Sequence, residues 1–307
     1  RVTQKRNLGL REARNDYIFF TDSDCEVMPD VFVRHAETYN ASNENVGGVL
    51  GLTVVCGNKA PIWKTLRFDR SFTTAFSFAR WLKFSPWGTC TNLSFRKDVL
   101  LRAGGFDEKW PLVVYGEDVD LGIRINKSGY KIRCNPKAVV KHNYTSIRSV
   151  IQVLSKKFST GRSDFHLGQK HPDRLALEYP SWVVVGLFLF AILIFKGLII
   201  KSLLPVTIGL LTFLIGIFLQ GLLTSVSSDS GWISFFQHTL VIIFEGVFEL
   251  GKLFEAFKHG KFRRLWTKFI YVERQLIGER DKRIRQMWAC VISLLLLVTI
   301  SGMIMLY

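Results

Sequence analysis

The chain has 307 residues, 48% of them hydrophobic and 13% aromatic, which is enough to bury a sizeable core and too much for a disordered or low-complexity protein. Five cysteines without regular spacing argue against a disulfide scaffold or a zinc module and read as reduced, cytosolic thiols. A formal net charge of +16 demands a partner or a location, yet no RNA or DNA module is recognisable, so nucleic acid is not expected as the partner.

Taken in chain order, the sequence opens on RVTQKRNLGL, already in a helical pattern, which reads as a truncated start; no cleavable signal peptide is visible. Tyr17 to Phe20 is a short apolar strand that runs straight into Thr21, Asp22, Ser23 and Asp24. Two carboxylates one residue apart, just past the C-terminal end of a strand, sit where ligands bind in open α/β sheets. They suit a hard divalent cation, Mg²⁺ or Mn²⁺, that keeps positions open for diphosphate oxygens, although a lone D-x-D is also common in turns. Gly48 to Cys56 is a second strand. Ile62 to Phe84 is aromatic and basic; a face of Trp63, Leu66, Phe76 and Trp81 suits either core packing or an acceptor. A second acidic motif, GEDVD, opens a helix at Glu117 and Asp118 that passes Arg124 and stops near Ser128 and Gly129. Acids in a first turn are favoured by the helix dipole, and Asp120 with Arg124 makes an i,i+4 pair suited to a surface. Asn40, Asn92 and Asn143 begin sequons that a cytosolic domain leaves unused.

At Pro180 the composition changes, dividing the chain into a domain at 1–179 and a membrane region at 180–307. Trp182 to Ile200 is a run of 19 residues, apolar but for Lys196, ~28 Å as a helix at ~1.5 Å per residue, close to the hydrocarbon thickness of a bilayer. A second run, Leu203 to Leu223, follows after Lys201 and Ser202, giving a tight transmembrane hairpin in which Lys196 snorkels to the far headgroups. Trp232 to His259 is amphipathic. Ser234, Gln237, His238, Glu245, Glu249, Lys252 and Glu255 share one face, which suits a helix lying in the interface; a fourth span is the competing reading. Between Lys252 and Arg285, eleven Lys or Arg stand against four Asp or Glu, and such a basic stretch stays on the cytoplasmic side. Trp288 to Tyr307 is the last span.

Four pieces carry a resemblance: RNLGL at 6–10, DYIFFTDSD at 16–24, TNLSFRKDVLLRAGGFDE at 91–108 and GEDVDLGIRINKSGYKI at 116–132. In that order and spacing, the segment from Arg6 to His142 resembles an inverting family 2 glycosyltransferase of the GT-A fold. The fold class this implies is α/β: a partial GT-A domain, lacking its first strands, followed by an α-helical transmembrane region. The resemblance implies that Asp22 and Asp24 bind the metal and the nucleotide diphosphate, and that Asp118 is the catalytic base. It also implies His142 as a metal ligand, and Arg6, Asn7 and Glu117 as contacts to the donor. Processive synthases of the same superfamily carry Q-x-x-R-W, and this chain has KKFSTGRSDF at 156–165 instead. Arg162 there suits a cationic lid over the diphosphate, or contact with lipid headgroups.

The expected protein is thus a multi-pass cell-membrane enzyme with a cytoplasmic catalytic domain. It moves one sugar from a nucleotide-diphosphate donor to a lipid-linked or surface-glycan acceptor hydroxyl. A polyprenyl-phosphate glycosyl synthase, whose ionised acceptor needs no strong base, and an inactive membrane adaptor are the alternatives.

Overall fold

A computed structural model describes residues 1–42, 45–57, 74–112, 115–143, 147–178, 180–225 and 231–272. The last predicted span, 288–307, and the predicted acceptor-face residues Trp63 and Leu66 lie outside these. The chain forms two compact bodies, 1–152 and 153–307.

In the first body, α1 (Val2–Glu12) leads to β1 (Tyr17–Phe20), the acidic link, β2 (Cys25–Val27) and α2 (Val31–Asn40). Then come β3 (Val46–Cys56), α3 (Phe78–Trp81), β4 (Phe84–Ser85), β5 (Leu93–Arg96) and α4 (Lys97–Arg102). The body closes with α5 (Glu117–Lys127) and β6 (Lys131–Asn143). The sheet order is β1-β5-β3-β6-β2, with β4 on β6; β3 and β6 are parallel and the other pairs antiparallel. β1 and β2 stand at opposite ends of this order, and a flat sheet would separate them by ~19 Å at ~4.8 Å per strand. The link from Phe20 to Cys25 reaches only ~17 Å at ~3.4 Å per residue, so the sheet curls into a half-barrel. Phe19 of β1 and Cys25 and Val27 of β2 accordingly pack on one cluster, Val31, Ala138 and Val140.

One local feature shifts the register within the sheet. Pro136 cannot donate to a ladder, and the β3–β6 pairing jumps there from Gly51↔Asn135 to Leu52↔Val139. Beyond that bulge His142 comes opposite Cys25. Under the sheet His35 of α2, fully inside, meets Ser94 Oγ through Nδ1 at 2.7 Å and Asn92 Oδ1 through Nε2 at 3.0 Å. The Asn92 amide bridges the Leu52 and Ala138 carbonyls, so this sequon asparagine is sealed in the core.

Among the described residues, the second body contains α6 (Val150–Lys170), whose first residues fall in the first body, a two-stranded ribbon of β7 (Leu175–Leu177) and β8 (Thr267–Phe269), and three long helices. These are α7 (Trp182–Ile199), α8 (Leu204–Ser225) and α9 (Gly231–His259). α7 and α8 are long and apolar enough to cross a membrane. Trp182 packs where Gly216 leaves room: a Cβ there would lie 1.8 Å from its Nε1. Phe188, Phe195, Leu198, Leu211 and Leu214 are exposed. On α9 the polar face turns inward: Glu249 accepts from the Ser181 N–H, and Lys252 reaches the Thr267 carbonyl and Glu178. Phe236, Phe254 and Phe257 of the same helix are exposed.

Candidate active site

Gly116, at φ 106°, turns the chain into α5 through a conformation a side chain would strain, and delivers Glu117 and Asp118 as the first two helical residues. The neighbouring Asp120 is not a surface residue. It is completely buried, pairs with Arg124 at 2.9 Å, and Arg124 in turn donates to the Ala103 and Gly105 carbonyls. The helix is thereby tied to the turn that carries Gly104, Gly105 and Phe106.

α1 meets the same turn from the other side. The Asn7 amide donates to Phe106 O at 2.8 Å and to Glu108 Oε1 at 2.9 Å, and accepts from the Phe106 N–H at 2.8 Å. Gly105 must be glycine here, being at φ 66° with a Cβ position only 2.7 Å from Asn7 Oδ1. The Asn7 side chain is committed to this staple. One residue earlier, Arg6 pairs with Glu117 Oε1 at 2.7 Å and lies 5.2 Å from the centre of the Phe106 ring.

Arg6 is the hub of the charges. Burial pushes the Asp118 carboxyl up to about 7, Glu117 adds to the rise, and Arg6 and the Val119 N–H bonded to Asp118 Oδ1 at 2.8 Å oppose it. A helix N-terminus by itself lowers such a pKa; here desolvation wins. Asp22 is also raised, first by burial and then by Asp24 and Glu117, against Arg6 and His142. Burial drives the Cys90 thiol well above its ordinary value, and Cys90 feels Arg6, Asp118, Glu117 and Asp22 together. The two acidic motifs, far apart in sequence, therefore share one electrostatic neighbourhood. A cavity of about 370 Å³ opens beside Arg6, lined by Lys5, Gly9, Ile18 and Phe20 among others.

At the end of β1 the acidic link faces β6. His142 Nε2 lies 3.1 Å from Asp24 Oδ1, and the donor atoms of Asp24, Cys25 and His142 all fall within 4.8 Å of one another. Phe76 packs edge-on against the His142 ring at 5.5 Å. A carboxylate oxygen and an imidazole nitrogen at this spacing, with the Asp22 carboxylate close enough to feel both, fit a divalent cation such as Mn²⁺ or Mg²⁺. The remaining predicted residue, Arg162, belongs to the second body, where its Nε donates to Glu255 Oε1 at 2.6 Å. Trp81 of the predicted acceptor face is exposed.

Sequence reasoning did not identify Cys90 or Phe106, nor the pairing of Arg6 with Glu117. The double glycine before Phe106 is the one local signal of a tight turn that another element must enter.

A family model described as Glycosyltransferase like family 2 matches residues 2–176. The O-antigen biosynthesis protein RfbC of Myxococcus xanthus is 25% identical over 158 residues, a match covering 46% of this chain and 12% of that protein, so the chain spans about an eighth of this relative. Among solved structures, the mannosyltransferase PcManGT from Pyrobaculum calidifontis, in complex with GDP-Man and Mn²⁺, aligns at 13% identity with a TM-score of 0.42, over 82% of this chain and 66% of that one.

Proposed function

The chain belongs to the glycosyltransferase-like family 2, and from that premise we propose that it transfers a single sugar, with inversion, from a nucleotide-diphosphate donor to the hydroxyl of a lipid-linked or surface-glycan acceptor. One observation carries this reading: the D-x-D link and the acidic start of α5 come together around Arg6, so that Asp22 and Asp118 both feel its charge. A lone acidic turn has no reason to share a cation with a second acidic motif far along the chain.

In this reading Asp118 takes the acceptor proton as the hydroxyl oxygen attacks the anomeric carbon, opposite the departing nucleoside diphosphate. A carboxyl held at about 7 is well matched to that task, since it is both appreciably ionised and appreciably basic near neutral pH. Such a base favours a hydroxyl acceptor over an already ionised phosphate. Arg6 faces the negative diphosphate while Glu117 fixes its guanidinium, and Asn7 fixes the helix that carries it. Asp22, Asp24 and His142 would hold a divalent cation, which supplies Lewis-acid stabilisation of the leaving diphosphate when bound.

The domain at 1–179 acts at the cytoplasmic face, with α7 and α8 as a membrane hairpin and α9 lying in the interface; the support is two helices of spanning length and the basic stretch after Lys252. Titrating purified full-length protein with UDP, GDP and dTDP in the presence of Mn²⁺ tests the donor half of the proposal. At least one diphosphate binds wild type and is lost in Asp22→Asn/Asp24→Asn. Equal binding by wild type and that variant would refute the assignment.

A further inference from the structure

In the second body, α6 and α9 cross with their backbones nearly touching. A Cβ on Gly161 would stand 1.7 Å from Phe248 O, and a Cβ on Gly251 would stand 2.0 Å from Phe158 O. Glycine on both sides is what permits this approach. About one turn beyond the crossing, Arg162 and His166 project from α6 at i,i+4 spacing, and Glu255 and His259 from α9 at the same spacing. The helices therefore bring four side chains to one point.

Their geometry is that of a ligand set. Glu255 Oε2 lies 3.2 Å from His166 Nε2 and 3.3 Å from His259 Nε2, and the three donor atoms are mutually within 4.8 Å. Ligand atoms ~2.0–2.1 Å from one tetrahedral ion stand roughly 3.3–3.4 Å apart, so these spacings match the edges of such a shell. Glu255 is completely buried, and among the described residues no donor is aligned for a hydrogen bond to its Oε2. Its other oxygen, Oε1, accepts from Arg162 Nε at 2.6 Å, which fixes the carboxylate plane as an outer hydrogen bond to a ligating carboxylate does. The His259 side chain is 43% exposed, which leaves an entry path and room for water as a further ligand.

We propose that His166, Glu255 and His259 form a second metal centre, separate from the acidic site of the first body, that binds a borderline-soft divalent ion of the Zn²⁺ class and clamps α6 to α9. Two imidazoles and one carboxylate favour Zn²⁺ over the hard cations suited to carboxylate and diphosphate oxygens. An ion shared by the two helices would lock their crossing.

The probe is Co²⁺, followed by competition with Zn²⁺, on untagged full-length protein in detergent. Wild type takes up one equivalent of Co²⁺ with the intense visible absorption of a tetrahedral site, and Zn²⁺ displaces it. His259→Gln, an exposed position, and His166→Gln each weaken binding by more than the roughly 10- to 100-fold expected for loss of an outer partner, with helical content by circular dichroism unchanged. The signal persists in Asp24→Asn. Absence of an absorbing Co²⁺ equivalent in wild type overturns the proposal. So does an equivalent that survives both histidine substitutions, or one lost in Asp24→Asn and kept in His259→Gln, which would locate the ion at the first body's carboxylates.

Discussion

Replacing Asp118 with Asn should cost activity and gain stability, and the two effects share one cause. The carboxyl is lifted from an ordinary 3.8 to about 7, chiefly by burial and then by Glu117. A group whose folded pKa lies above its unfolded value binds its proton more tightly in the fold. The stability linked to that proton is whole below about pH 4 and is lost as the pH climbs through 7. Three pH units at ~1.36 kcal/mol each amount to ~4 kcal/mol at most, of which ~2–3 kcal/mol falls between pH 5 and pH 8. Asn keeps the shape and discards the charge. At ~2–4 °C per kcal/mol, the melting temperature of Asp118→Asn should gain ~5–10 °C on wild type between those two pH values. Differential scanning fluorimetry of both proteins without donor measures it. Turnover of the variant should fall by on the order of 10²- to 10⁴-fold, the usual worth of a general base. In wild type kcat/KM should rise with pH and level off above about 7. Parallel melting curves across the pH range, or a variant with wild-type turnover, would refute the reasoning.

Arg6→Met removes the cation that holds both Asp22 and Asp118 down. The acid limb of the pH–rate profile should move to higher pH, and the unpaired, largely buried Glu117 should cost ~3–5 kcal/mol in denaturant unfolding. Asn7→Ala deletes three hydrogen bonds to residues 106–108 and should destabilise by ~2–4 kcal/mol, seen as a lower melting temperature. If its melting temperature is unchanged, the staple is not what holds α1. His142→Gln should raise the Mn²⁺ concentration for half-maximal activity at least ~10-fold while leaving Asp118-dependent pH behaviour in place; an unchanged metal requirement removes His142 from the site.

Much of this was legible in the residues. YIFF followed by TDSD announces a strand that ends in acids, because an apolar run stops where charges must reach solvent, and β1 ends at Phe20. The helix from Glu117 is equally plain, with acids in its first turn, Arg124 and Lys127 in its last and Gly129 at φ 85° beyond. The two helices long and apolar enough to cross a membrane agree within two residues at each end with their apolar runs. What was hidden depends on register and on partners distant in sequence. His142 meets Asp24 through the pairing of β6 with β2, which sets Cys25 opposite His142. Arg6 finds Glu117 only because the Asn7 staple docks α1 on the Gly104–Phe106 turn. Periodicity separated the polar and apolar faces of α9 but not which faced protein. Glu249, Lys252 and Glu255 have partners to bury against, and that is a tertiary fact.

The central claim is that the acids gathered around Arg6 carry out sugar transfer with inversion. The most direct measurement is proton NMR of the product that full-length protein makes from a nucleotide-diphosphate sugar and a hydroxyl acceptor with added Mn²⁺. The anomeric coupling constant should report the configuration opposite to the donor's, with one nucleoside diphosphate released per sugar transferred. A product that keeps the donor's configuration, or inverted product formed at the same rate by Asp118→Asn, would contradict the account.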